Sequence, residues 1–162
     1  MMKVRNSTLE DIEEISKIYA HAREQMIINH NPHQWRDSEP KLETVIQDIK
    51  NGNHYIIENN SEICGVFSMI PGKDPTYEHI VGNWINDLPY VTIHRIASNN
   101  RYKGIFDTAI NYSFTKSKTV RIDTHMDNSI MLHLINKYGF TYCGIIYLPN
   151  SEPRLAFMKT IN

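Results

Sequence analysis

Between Tyr90 and Ile146 two kinds of apolar spacing take turns, and this alternation restricts the fold more than any other feature of the chain. Tyr90 to Ser98 and Val120 to Thr124 are short runs of strand type, rich in β-branched residues. Ile105 to about Phe114 repeats apolar residues at helical spacing, with Phe106, Ala109, Ile110 and Phe114 on one side. Asn128 to Tyr138 does the same through Met131, Leu134, Ile135 and Tyr138, and Gly139 suits the position past its end. Phe140 to Ile146 and Leu155 to Met158 close the chain as strands. Strand, helix, strand, helix, strand implies at least one right-handed parallel crossover.

The first half adds antiparallel pairing. Lys3 to Arg5 reads as a strand, and Ser7 and Glu10 stand at capping-box spacing before a helix carrying Leu9, Ile12, Ile15, Ile18, Ala22 and Met26 inward. A second helix is expected from near Ser38, with Pro40 in its first turn, Leu42, Val45, Ile46 and Ile49 as its stripe, and Gly52 past its end. His54 to Glu58 and Ile63 to Ile70 form a hairpin around Asn59-Asn60, since asparagine tolerates positive φ. Pro71 to Pro89 is a long connection bearing Tyr77 and Trp84. The order is β-α-α-β-β-β-α-β-α-β-β: an α/β (α+β) fold with a mixed sheet and helices on both faces.

At 162 residues the chain fits one domain, 1–162, able to bury a core without disulfides or metals. A formal net charge of −1 supplies no field toward nucleic acid or an anionic membrane. No run approaches a membrane span, and Met1 to Asn6 lacks the apolar core of a signal peptide, so a cytoplasmic location is expected. Cys64 and Cys143, each inside an apolar run, read as buried free thiols.

The segment from Ile96 to Ile110 carries the chemistry. A strand runs into the polar turn Ser98-Asn99-Asn100-Arg101-Tyr102-Lys103-Gly104, and that turn opens a helix. The first amides of a helix have no internal partners, and with the helix dipole they attract an anion. Arg101 and Lys103 add positive charge, and Gly104 permits close approach or an unusual φ. A pyrophosphate is the natural guest, and a solvated helix start is the competing reading. A triphosphate P-loop is disfavoured because Arg101 to Phe106 lacks Gly-Lys-Ser/Thr.

Arg101-Tyr102-Lys103-Gly104-Ile105-Phe106 resembles the Gln/Arg-x-x-Gly-x-Gly/Ala signature of the GNAT family of N-acetyltransferases. Lys137-Tyr138-Gly139-Phe140 resembles the family's Lys-x-Gly-Phe helix ending, and the element order is also the family's. The resemblance covers nearly the whole chain and implies a mostly antiparallel central sheet. It implies acetyl-CoA as co-substrate and no metal, with Ile96, Ala97 and Ser98 on the pantetheine arm. Arg101, Tyr102, Lys103, Gly104, Ile105 and Phe106 would lie around the pyrophosphate, and Asn128 would contact the cofactor. Two residues depart from the family pattern. Phe106 replaces a small residue, which is tolerable if its side chain enters the core. Ile135 stands where many members place a proton-donating Tyr.

The reaction so implied is acyl transfer to an amine, in a direct ternary complex. An alkyl ammonium has a pKa of about 10 and must lose a proton before attack. His94 and His125 are the candidate bases, with His125 favoured by its position beyond a strand's carboxyl end. Asp123 is a further candidate, or else pairs with Arg121 or Arg95. Tyr138 and Tyr147 are fallback proton donors. By resemblance, acceptor specificity falls to residues 31–37 and 75–90, where Trp35 and Tyr90 are the candidate substrate residues; Trp35 either walls a pocket or anchors its loop. The partners implied are a small-molecule or amino-acid-like amine and, left open, a second copy of the chain in a homodimer; nucleic acid and membrane are not expected. The competing function is a non-catalytic acyl-CoA-binding sensor or regulatory module.

Overall fold

The computed structural model describes residues 1–36 and 38–162, so Asp37, one of the acceptor-segment positions, lies outside the described residues. The elements are β1 (Met2–Asn6), α1 (Ile12–Ile28), α2 (Leu42–Lys50), β2 (His54–Asn59), β3 (Glu62–Pro71), β4 (Val81–Gly82), β5 (Val91–Ser98), α3 (Ile105–Lys116), β6 (Thr119–Thr124), α4 (Ser129–Lys137), β7 (Thr141–Tyr147) and β8 (Pro153–Thr160). Eight strands make one sheet in the order β1-β2-β3-β5-β6-β8-β7-β4. Only β5 and β6 run parallel, joined by the α3 crossover, and every other neighbouring pair is antiparallel. This is the mixed, mostly antiparallel sheet expected.

The pleat sends neighbouring residues to opposite cores. Ile57 joins Phe67, Met69, Ile93 and Ile122 under α3 and α4, whose buried residues include Ile105, Phe106, Ala109, Ile110 and Ile135. Ile56 instead joins Val66 and Ala97 under α1 and α2, against Ile15, Ile18, Tyr19, Val45 and Ile49. The helices therefore cover both faces. Phe106 is buried in the first cluster, as its inward position required.

Four local readings change. The capping pair is Thr8 and Asp11, whose carboxylate accepts from the Thr8 amide at 2.8 Å. Ser7 is instead buried, 2.6 Å from His54 Nδ1, because the chain is still paired to β2 there. The second helix starts at Leu42 rather than near Ser38, which sits at φ 68 in a left-handed conformation no helix can include. The hairpin turn falls on Asn60-Ser61, both with positive φ, the geometry that matches the twist of the flanking strands. The Pro71–Pro89 connection holds a 3₁₀ turn (Pro75–Tyr77) and the two-residue strand β4 on the edge of β7. Two residues are too few to show a period in sequence. Cys64 and Cys143 are buried free thiols, and no helix among the described residues is long and apolar enough to cross a membrane.

Candidate active site

The site begins where β5 leaves β6. The two strands pair only from Val91 to Ile93 against Val120 to Ile122. Beyond that point β5 follows β3, and its register shifts: between Val66↔Ala97 and Ser68↔His94, one β3 residue faces two on β5. The extra residue is a bulge at Arg95, with φ 53. A bulge resets the alternation of side chains. His94 and Arg95 both turn toward the α1/α2 face, while Ile93 and Ile96 pack on the α3/α4 side. The parting strands leave the β6-side edge of β5 unpaired.

Two side-chain systems hold the bulge. Asp48 of α2, buried, accepts from Arg95 Nε at 2.9 Å, Arg95 Nη2 at 2.6 Å and Ser68 Oγ at 2.6 Å. Tyr19 of α1 donates to the Arg95 carbonyl at 2.8 Å, and its oxygen lies 2.9 Å from His54 Nε2. His54 is fully buried, and burial lowers its pKa to about 4.

Two cavities meet at the bulge. One, about 150 Å³, runs along Ile96, Ala97 and Ser98 between α1 and the start of α4. The other, about 560 Å³, opens on the α1/α2 side, lined among others by Gln34, Trp35, Asp74, His94, Asp123 and Arg154. Met26, Ile96, Asn128 and Met131 line both. The result is a groove with a narrow, mostly apolar arm and a wide, polar end.

In the wide end His94 Nε2 lies 2.9 Å from Asp74 Oδ2. Asp74 is fixed by three further contacts: its Oδ1 accepts from the Thr76 amide at 2.9 Å and hydroxyl at 2.7 Å, and its own amide donates to Tyr90 Oη at 2.8 Å. Burial pushes the Asp74 carboxyl up, but the bonds from His94 and Thr76 outweigh it and hold it at about 2. Asp123 accepts from the Tyr77 hydroxyl at 2.6 Å. The expected pairing of Asp123 with Arg121 or Arg95 does not occur: Arg95 is held by Asp48, and Arg121 points under the Pro71–Pro89 loop. Burial and the Asp123 charge raise the Tyr77 pKa well above the phenol value, so this hydroxyl stays a donor. Gln34 bridges the walls, accepting from Asn31 and Asn128 at 2.8 Å each and donating to Thr124 Oγ1 at 3.3 Å.

The narrow arm ends toward the turn before α3. Gly104 caps that helix at φ 90, and a Cβ built there meets nothing within 4 Å. The first α3 bond in the chain is Thr108 N to Gly104 O, so the amides of residues 105–107 lack helical acceptors. The side chains of Ile105 and Phe106 are buried in the core, so these residues offer an anion only their main chain. Arg101 forms an ion pair with Glu62, and Tyr102 Oη donates to the same carboxylate at 2.9 Å. Much of the Arg101 charge is thus compensated, whereas exposed Lys103 forms no ion pair among the described residues. The unpaired β5 edge leaves main-chain groups free for an extended ligand, and one buried acceptor lining the narrow arm, Asn31 Oδ1, has no partner among the described residues.

The remaining expected residues separate. His125 lines neither cavity; its Nδ1 accepts from the Asp127 amide at 3.0 Å, and burial, then the Arg154 charge, lowers its pKa. Tyr138 caps α4 and packs on Phe106 at 5.6 Å between ring centroids, away from the groove. Tyr147 is half-exposed on β7. Trp35 both lines the cavity and anchors its loop edge-on to Tyr19 at 5.6 Å. Tyr90 is outside the wide cavity and acts on it through the Asp74 amide. Asn128 caps α4, accepting from the Met131 amide at 3.0 Å, and lines both cavities. Asp74, Tyr77, Gln34, Arg95 and Arg154 were not singled out as site residues from sequence. Gln34 and Tyr77 fall inside the acceptor segments 31–37 and 75–90, and Asp74 left a local signal in the Asp-Pro pair that opens the 3₁₀ turn.

No family model matches the sequence, and no curated protein matches it. Solved structures do. A GNAT-family acetyltransferase from Streptococcus agalactiae is 29% identical, with a TM-score of 0.89 over 99% of this chain and 96% of that one. A GNAT-family acetyltransferase from Listeria monocytogenes shares the fold at 15% identity, with a TM-score of 0.71 over 99% and 95%. The ribosomal-protein-alanine N-acetyltransferase of Brucella melitensis shares it at 17% identity, with a TM-score of 0.65 over 98% and 99%.

Proposed function

We propose that this chain, which shares the fold of a GNAT-family acetyltransferase over nearly its whole length at 29% identity, moves an acetyl group from acetyl-CoA to the amine of a small, amino-acid-like acceptor in a direct ternary complex. The observation that carries this reading is the meeting of the two cavities at the Arg95 bulge, where a thioester in the narrow arm and an amine in the wide end can touch.

The wide end suits such an acceptor. Asp74 and Asp123 offer carboxylates to an ammonium, while buried Arg154 and exposed Lys41 offer cations to an acceptor carboxylate. His94 is the base. Its Nε2–H is held by Asp74, which leaves the Nδ1 lone pair to take a proton from the ammonium. The freed amine nitrogen bonds to the thioester carbonyl carbon, main-chain N–H groups on the unpaired β5 edge stabilise the oxyanion, and the C–S bond breaks. The second amine proton goes to the departing thiolate. Thiolate is a good leaving group, so Ile135 in place of a tyrosine is compatible with turnover.

The test is thiol release from acetyl-CoA across a panel of amines and amino acids. Turnover with an amine, abolished in His94→Gln, supports the reading. Saturable CoA binding with no thiol release for any amine would assign the chain to the non-catalytic acyl-CoA sensors.

A further inference from the structure

Behind the wide cavity lies a third one, of about 640 Å³, enclosed by the Pro71–Pro89 loop. Its floor is Arg121 of β6, only 4% exposed. The guanidinium is sandwiched between two rings, with Cζ 3.9 Å from the Trp84 ring centre and 4.0 Å from that of Tyr90. Nη2 donates to the Asn86 carbonyl at 3.0 Å, and Nε is buried with no partner among the described residues. Buried Arg154 and part-buried Arg95 each have a carboxylate partner, at 3.5 and 2.6 Å, and Arg121 has none among the described residues. Burial also keeps its pKa below the usual arginine value, whereas the Asp11 partner of Arg5 raises that one. A buried guanidinium with an unpartnered donor and no carboxylate is chemically incomplete, because nearly all such groups in proteins are paired, and this one lines a cavity.

We propose that this third cavity is a binding site for a small organic carboxylate with an apolar or aryl body, its carboxylate received by Arg121 and its body by Trp84 and Leu88. A planar carboxylate matches the arginine fork in two parallel bonds. The stacked rings fix the fork's plane and leave its edge as the way in. Lys73 at the mouth adds a positive charge, and the exposed Glu78 and Asp87 carboxylates there would receive an α-ammonium if the ligand is an amino acid. The site is tied to the acceptor cavity by its own walls: Tyr90 holds the Asp74 amide and Tyr77 holds Asp123.

The experiment titrates the full chain, carrying Trp35→Phe so that Trp84 is the only indole, with phenylacetate, L-phenylalanine, phenethylamine and inorganic phosphate. Saturable quenching of Trp84 by phenylacetate, weakened at least tenfold in Arg121→Met and absent with phenethylamine, is expected. Additional tightening with L-phenylalanine would identify an amino acid as the ligand class. Three results overturn the proposal: no saturable change with either carboxylate, equal affinity for phenethylamine, or unchanged affinity in a folded Arg121→Met protein. Binding of phosphate without phenylacetate overturns the carboxylate assignment. If Arg121→Met does not fold, the comparison of phenylacetate with phenethylamine on the parent chain decides.

Discussion

The Nε2 atom of His94 and the Oδ2 atom of Asp74 are 2.9 Å apart, and that bond determines which histidine nitrogen is free to work. Held by Asp74, the ring presents Nδ1 as a lone-pair acceptor. Asp74→Asn keeps the shape but can present its amide N–H to Nε2, which favours the opposite tautomer. With His94 as the base, kcat should fall roughly 10²-fold or more, within the range for general-base removal. The KM for acetyl-CoA should stay within about twofold, since Asp74 lines only the acceptor cavity. Steady-state kinetics in both substrates checks this, and an unchanged kcat would remove the dyad from the mechanism.

His125 and His94 make opposite predictions. His125 lines neither cavity, and its Nδ1 is occupied by the Asp127 amide. His125→Ala should therefore leave kcat within about threefold, whereas His94→Gln should cost the 10²-fold or more of a lost base. Side-by-side turnover assays decide. A larger loss at His125 would restore the role that its place beyond a strand end suggested.

That contrast marks where sequence reading reached its limit. The strand-to-helix turn was legible because its signals are local: a strand pattern, a glycine and a helix pattern within about fifteen residues. The burial of Phe106 followed from the same helical spacing. His94 and Asp74 are 20 positions apart, and their contact depends on how the Pro71–Pro89 loop folds back over β5. The register shift in β5 is equally hidden, since only the pairing with β3 shows that two residues face one. His125 was favoured by a rule about strand ends, but the next residues turn back and cap its ring nitrogen.

Gly104 stands at φ 90 with open space around it, so a side chain is limited by backbone strain and charge, not by packing. Asparagine tolerates the left-handed region far better than most residues, and Asn and Asp have nearly the same shape. Gly104→Asn should keep CoA affinity within about fivefold. With the CoA pyrophosphate held at the start of α3, as proposed, Gly104→Asp would place a carboxylate beside it and should weaken binding at least tenfold further, about 1.4 kcal/mol. Calorimetry with CoA on both variants separates charge from strain. Equal affinities would sink the phosphate assignment.

The buried chain from Ser7 through His54 and Tyr19 to the Arg95 carbonyl makes the bulge sensitive to acid. Each bond has a consistent direction: Ser7 Oγ–H donates to Nδ1, Nε2–H donates to the Tyr19 oxygen, and Tyr19 donates to the carbonyl. That pattern needs a neutral imidazole. Burial lowers the His54 pKa from 6.5 in the unfolded chain to about 4 in the folded one. The sign follows from linkage: the unfolded state binds the proton first, so the stabilisation is complete above pH 6.5 and is lost as pH falls toward 4. Its full size is on the order of 3 kcal/mol. Asp11 and Asp74, each lowered from 3.8 to about 2, contribute in a separate window below pH 3.8. His125 shifts in the same direction as His54, so a variant is needed to assign the effect. Urea unfolding of the parent and His54→Gln chains at pH 7 and pH 4.5 provides the measurement. The parent should lose about 2 kcal/mol or more between the two pH values, and His54→Gln should lose much less. Equal losses would show that His54 is not the acid-labile group.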